Sequence, residues 1–282
     1  MAAARHSSPW SLLNPWHILR HLWRHRELAW QFALREIELR HRGSRLGAIW
    51  ALVNPLSMLA LYWFIFGVIF GSRFGVLPGE TQFDFVLAMF LGLAMFHVFS
   101  ETLGWAPLVI ANNPNFVKKV VFPLEVLPVA KVGDAAYHLA VSLGLVIVGS
   151  IFGTAGLSWS VFWLPVLVLP LLMIALGIGW ALSAIGVFVR DITQLTPFIS
   201  TALQFASAVM FAPQRIRDLP HAWEVLRFNP LLQLFDLGRR VVLWHQPMDW
   251  GVLGFVYAVA LVSLVAGYAC FMLLRKSFAE VI

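Results

Sequence analysis

Residues 48–71 form an unbroken run of 24 residues without a single charge. At a rise of ~1.5 Å per residue such a helix reaches about 36 Å, enough to cross a ~30 Å hydrocarbon layer with some tilt. The stretch just before it, 35–45, reads Arg-Glu-Ile-Glu-Leu-Arg-His-Arg-Gly-Ser-Arg and is too charged to enter lipid. One segment therefore sets a membrane surface, a crossing helix and, through its arginines, an orientation.

The rest of the chain carries the same signature. Of 282 residues, 60% are hydrophobic and only 12% charged, against about 25% charged in an ordinary soluble domain. No long polar block interrupts the apolar runs, so the expected class is an all-α polytopic membrane protein. The net charge of +6 comes from arginines beside apolar runs, which is how membrane proteins hold orientation; no nucleic-acid-binding domain is expected. The single cysteine, Cys270, sits in an apolar run and allows no intrachain disulfide or cysteine metal centre. Residues 1–27 are basic and broken by prolines, so no cleavable leader is expected there.

In chain order, residues 1–47 read as a cytoplasmic region. Asn14-Pro15 opens a first helix with Leu19, Leu22 and Trp23 on its apolar face. A second helix is expected over 28–42, with Trp30, Ala33, Leu34 and Ile37 in one stripe and Arg35, Glu38 and Arg42 behind it. Glu36–Arg40 and Glu38–Arg42 have the spacing of intrahelical ion pairs. A helix of this kind lies in the membrane interface.

The transmembrane part, 48–274, divides into six expected spans near 48–71, 83–105, 124–152, 161–189, 195–212 and 251–274, with a short tail at 275–282. Pro55 lies inside the first span and Asp84 opens the second. The second is followed by Asn112-Asn113-Pro114-Asn115 and a short two-lysine stretch ending at Pro123. Gly177, Gly179 and Gly186 invite close helix contact in the fourth span, Gly179 pairing with Ser183 at small-x3-small spacing. The 213–249 segment reads as two short amphipathic or re-entrant helices, near 222–228 and 231–244, broken at Asn229-Pro230. Thirteen Arg and Lys residues flank the face that carries both termini and six the other, which places N- and C-termini in the cytoplasm.

No Gly-x4-Gly-Lys-Ser/Thr occurs and none of the four lysines follows a glycine, so the chain is not its own P-loop ATPase. His97 and Glu101, one helical turn apart, make either a polar patch facing a pore or a pair satisfied between helices; two ligands are too few for a metal site, and none is expected. Lys131, Asp134 and His138 share a face of the third span and read either as an ion relay of a secondary transporter or as a buried ionic cluster that sets packing. A lipid-linked-sugar transferase would need a carboxylate constellation, for which only Asp84, Glu101 and Asp134 offer themselves. Aromatic residues are dense, 13 Trp and 23 Phe. Those at span ends read as interfacial anchors. Trp63, Phe96, Phe99, Trp180 and Phe205 are mid-span and are candidates, with His97 and Glu101, to line a conduit.

Four stretches in order carry a resemblance. They are Leu34-Arg35-Glu36-Ile37-Glu38-Leu39-Arg40 with Arg45-Leu46-Gly47-Ala48-Ile49-Trp50 and Asn54-Pro55-Leu56; Lys118-Lys119-Val120-Val121-Phe122-Pro123-Leu124-Glu125; Val189-Arg190-Asp191-Ile192; and Asn229-Pro230-Leu231. Together they resemble the membrane subunit of ABC-2 type polysaccharide exporters, the family of O-antigen, teichoic-acid and capsule export permeases. The chain departs from family members that have Ser-Pro-Val after the fifth expected span; here that stretch reads Ala208-Val209-Met210-Phe211-Ala212-Pro213. The resemblance implies a non-catalytic permease of the bacterial inner membrane that exports a lipid-linked polysaccharide. It implies a homodimer carrying separate ATPase subunits, with ATP and Mg held on those subunits and no cofactor on this chain. It makes 28–42 the interface helix and Asn113, Pro114, Asn115, Phe116, Lys118 and Lys119 the coupling loop that docks on the ATPase. The 213–249 helices become gate helices, with Arg215, Arg217, Asn229, Arg239 and Arg240 as gate residues.

Overall fold

The computed structural model describes residues 15–118 and 122–282; over these it is helical and contains no strand. Asn14 and Lys119 lie outside the described residues. Two helices, α1 (Pro15–Arg24) and α2 (Arg26–His41), precede α3 (Trp50–Tyr62), which carries Pro55 inside it and widens into a π-helical stretch at Trp63–Ile69. There Phe70 N donates to Ile65 O at 3.0 Å, one residue beyond the α-helical partner. Next come α4 (Gln82–Trp105), the single-turn α5 (Pro114–Val117), α6 (Val126–Ser150), α7 (Leu164–Phe188) and α8 (Ile192–Ala206). Three short helices follow, α9 (Gln214–Arg217), α10 (Pro220–Leu226) and α11 (Pro230–Gly238), the last running into a π turn at Arg239–Leu243. The chain ends with α12 (Trp250–Leu274) and α13 (Phe278–Val281).

Local chemistry accounts for these boundaries. The Thr81 hydroxyl accepts from Asp84 N at 3.2 Å while the Asp84 carboxylate accepts from Thr81 N at 2.8 Å, a reciprocal cap that starts α4. Asp84 also accepts from Thr154 N at 2.7 Å, so the same carboxylate ties the α6–α7 connection to the head of α4. Asn229 Oδ1 caps α11 through Leu231 N at 3.0 Å, and Pro230 takes the first turn, where no amide hydrogen is needed.

Among the described residues, five helical stretches are long and apolar enough to cross a membrane: Trp50–Ile69, Gln82–Leu108, Val126–Ser150, Trp159–Phe188 and Trp250–Val281. The fifth expected span is shorter than its sequence suggests. Its helix, α8, has 15 residues, about 22 Å at ~1.5 Å per residue. It stops because Ala208 turns into the left-handed region at φ 49°. The 213–249 segment holds three short helices rather than two.

Burial places α4 at the centre. In the most apolar stretch of its span 78% of residues are buried, against 6% for the span built on α3. Helix α3 thus stands off from the bundle, with only Ala51 and Gly67 buried along its length. The tightest crossing joins α7 and α12. A Cβ on Gly177 would sit 2.7 Å from the Leu264 amide nitrogen, and one on Gly267 would sit 2.8 Å from the Gly177 Cα. The glycine series in the fourth span does bring helices together, and Gly267 supplies the other half of the contact.

Candidate coupling and conduit site

Helix α2 lies along α6, with Ala33 buried and its Cβ 3.0 Å from where a side chain on Gly133 would begin. That approach turns the polar face of α2 toward the bundle. Lys131 Nζ lies 2.5 Å from Glu36 Oε2. Arg40 pairs with Glu101 of α4 and reaches Asp134 Oδ2 at 3.6 Å. His97 Nε2 stands 3.8 Å from Glu101 Oε2, and His138 Nε2 stands 3.5 Å from Asp134 Oδ1. Five ionisable groups from three helices are thus joined through Arg40, with the Glu36–Lys131 pair across the same α2–α6 contact.

This corrects the reading of α2. Glu36 and Arg40 do not pair with each other; each reaches a charge on the bundle, where partners in a less polar surrounding attract more strongly than across a solvated helix turn. The expected apolar stripe is also split. Ala33 is buried and Ile37 half-buried, whereas Trp30 is 64% and Leu34 40% exposed. Arg35, Glu38 and Arg42 are exposed as expected. In α1 the apolar residues divide between two faces: Ile18 is buried and Leu22 packs beside it, while Leu19 and Trp23 are exposed.

The loop after α4 reaches the same helix through aromatic rings. Phe116 stacks on Phe122 with centroids 4.5 Å apart, and both rings stand 5.5 Å from Phe32 of α2. Asn113 Nδ2 donates to Val109 O at 2.8 Å, closing the turn that carries Pro114 at the start of α5. Asn115 and Lys118 are exposed; Lys119 lies outside the described residues.

Glu125, just before α6, is not among the candidate site residues, yet it is 1% exposed and joins four segments. Its carboxylate lies 2.5 Å from His21 Nε2 of α1 and accepts from Arg275 Nη1 at 2.7 Å; its carbonyl accepts from Trp180 Nε1 at 3.1 Å. Arg275 also donates to Phe122 O at 3.0 Å. Burial alone would push the Glu125 carboxyl up, but the His21 hydrogen bond and the Arg275 guanidinium together hold it below the ordinary carboxylate value.

Above the network, between α3 and helices α4, α6 and α8, opens a cavity of about 710 Å³. Arg40, His97 and His138 form one end; Tyr62, Phe96 and Gln204 line its walls. Of the conduit candidates, Phe96 and His97 meet here, and Glu101 is tied to it through Arg40. Trp63 borders a separate recess of about 460 Å³ with Arg73 and Gln82, and Phe205 is 55% exposed on α8. Phe99 and Trp180 are 4% and 0% exposed and belong to the packed core, Trp180 being held by its bond to the Glu125 carbonyl.

The gate candidates separate into roles. Arg215 is exposed. Arg217 pairs with Asp236 at 3.0 Å and lies over Trp223 at 5.3 Å. Arg240 Nε donates to Gln246 Oε1 at 2.8 Å. Asn229 and Arg239 both bond to the end of α8. The three transferase candidates do not gather: Asp84 is a helix cap, whereas Glu101 and Asp134 converge on Arg40.

A family model described as ABC-2 type transporter matches residues 27–243. The chain belongs to the ABC-2 type transporter family. Its similarity to individual relatives covers between 84% and 93% of the chain. It is 30% identical over 264 residues to the O-antigen export system permease protein RfbA of Myxococcus xanthus, covering 93% of this chain and 98% of that one. It is 23% identical to the protein of the same name from Klebsiella pneumoniae, over 88% of this chain and 92% of that one. It is 26% identical to the polysialic acid transport protein KpsM of Escherichia coli, over 84% and 90%. The ionic network, the aromatic clip and the cavity all lie within the residues matched by the ABC-2 model.

Proposed function

We propose that this chain is the membrane subunit of an ABC exporter that carries a lipid-linked polysaccharide across the bacterial inner membrane. The observation that carries the proposal is that one helix, α2, meets Phe116 through Phe32 and lines the 710 Å³ cavity through Arg40. In this reading two copies assemble with separate ATPase subunits, which hold ATP and Mg. The loop at 113–119 docks on the ATPase, α2 passes the displacement on, and the cavity beside α3 accepts glycan rings against Tyr62 and Phe96. Helix α8 serves as the fifth of six crossings, short because it ends at the re-entrant α9–α11 segment, and both termini lie in the cytoplasm. No residue performs covalent chemistry. The names of the relatives, an O-antigen export permease and a polysialic acid transport protein, support a polysaccharide as cargo.

Lys131, Asp134 and His138, which would serve an ion relay, are engaged with Glu36 and Arg40 of α2 or with each other. Co-purification with the product of a neighbouring Walker-motif reading frame tests the assembly. A stable complex whose glycan export stops when the ATPase glutamate is replaced is expected. Export that continues with a dead ATPase would overturn the proposal.

A further inference from the structure

Arg239 is fully buried, with 0% exposure, and among the described residues no carboxylate lies within ion-pairing distance of it. Asp236, whose charge acts on Arg239, pairs with Arg217 instead. The Arg239 guanidinium bonds to three backbone carbonyls. Nε donates to Ala88 O of α4 at 2.9 Å, Nη1 to Ala208 O at 2.9 Å and Nη2 to Val209 O at 2.5 Å. The group lies 5.1 Å over the Phe74 ring and against Gly92, where a Cβ would come within 3.1 Å of the guanidinium carbon. Gly92 leaves the Ala88 carbonyl open, because no side chain four residues on covers it.

At the other end of α11, Asn229 reaches the same stretch. Its Nδ2 donates to Ala206 O at 3.2 Å and to Ser207 Oγ at 3.0 Å. The carbonyls just past a helix end have no intrahelical partner and carry partial negative charge. A permanent cation and an amide, rather than solvent, satisfy them here. Both ends of α11 thus grip residues 206–209, and Arg239 adds α4 to the grip.

We propose that Arg239 and Asn229 are positioning residues that make α4, the end of α8 and α11 one rigid body through the transport cycle. A displacement of α8 is then delivered to the α9–α11 segment without slip. This rests on the transport reading above.

The test uses the full chain in complex with its ATPase, in cells that make the glycan and in purified form, with Cys270→Ala as background. Ser207→Cys with Asn229→Cys places two thiols where contacting side chains stand now, so oxidation replaces the polar tie by a covalent one. Oxidation is expected to raise export per ATP hydrolysed above that of the reduced double variant, which lacks the Asn229 amide. Arg239→Gln is expected to export at least about tenfold less glycan per ATP hydrolysed, with Arg239→Lys intermediate and the oxidised cysteine pair restoring part of the loss. Export stopped by the cross-link while ATP turnover persists would show that the segments must separate, and would overturn the proposal. So would unchanged export per ATP in Arg239→Gln. If Arg239→Gln fails to accumulate, the cross-link alone decides. A wild-type complex that moves no glycan sinks the transport reading itself, before any variant is compared.

Discussion

Arg40 is the cation that Glu101 and Asp134 share, and Arg40→Gln leaves these two carboxylates, 16% and 8% exposed, without it. A loss of about 3 kcal/mol is expected, the low end for a broken buried pair because Arg40 is itself partly exposed. Thermal unfolding in detergent checks it, and adding Glu101→Gln should return part of the loss. Within this cluster His97 with Glu101, and Asp134 with His138, are legible in the sequence because helical spacing is local. The partners of Glu36 and Arg40 lie 95 and 61 residues away and are not, so the i,i+4 spacing suggests an intrahelical pair that tertiary contact replaces. Glu125 makes a pH prediction. Its carboxyl is held below the ordinary value in the folded state, so its contribution is present above the unfolded value of about 4.3 and is lost as pH falls through the lower folded one. Glu125→Gln should lower the unfolding midpoint at neutral pH and flatten its fall on acidification below pH 4. A variant with the wild-type acid profile would count against the His21–Glu125–Arg275 tie.

At the scale of elements, apolar runs and capping residues marked most helices within a few positions, because both signals are carried by neighbouring residues. The end of α8 was not marked, since nothing in Gln-Phe-Ala-Ser-Ala announces a left-handed alanine held by distant side chains. The stripe on α2 is split for a related cause: docking on α6 takes in Ala33 and Ile37 together with the flanking Glu36 and Arg40, and leaves Trp30 and Leu34 outside. Two predictions belong here. Phe116→Ala removes the ring that joins the loop to Phe32 and Phe122. It should leave the unfolding midpoint nearly unchanged while lowering substrate-stimulated ATP hydrolysis several-fold; intact stimulation would exclude the aromatic path. Gly267→Ala forces α7 and α12 apart at their closest approach. Overpacking of this kind costs about 1–3 kcal/mol, read as a lower unfolding midpoint, and Gly254→Ala, whose Cβ meets nothing within 4 Å, serves as the neutral control.

At the scale of the whole molecule, the chain has spanning helices, an ionic hub linking α2 to the bundle and a cavity, but no nucleotide-binding motif. In the proposed assembly a companion ATPase supplies the energy for transport and moves this subunit from the α2 side. Glycan uptake into inside-out vesicles measures this directly, with the chain alone or with the ATPase, under ATP or under a proton gradient. Uptake is expected only when the ATPase and ATP are both present, unaffected by a protonophore. Uptake by the chain alone, driven by the proton gradient, would contradict it.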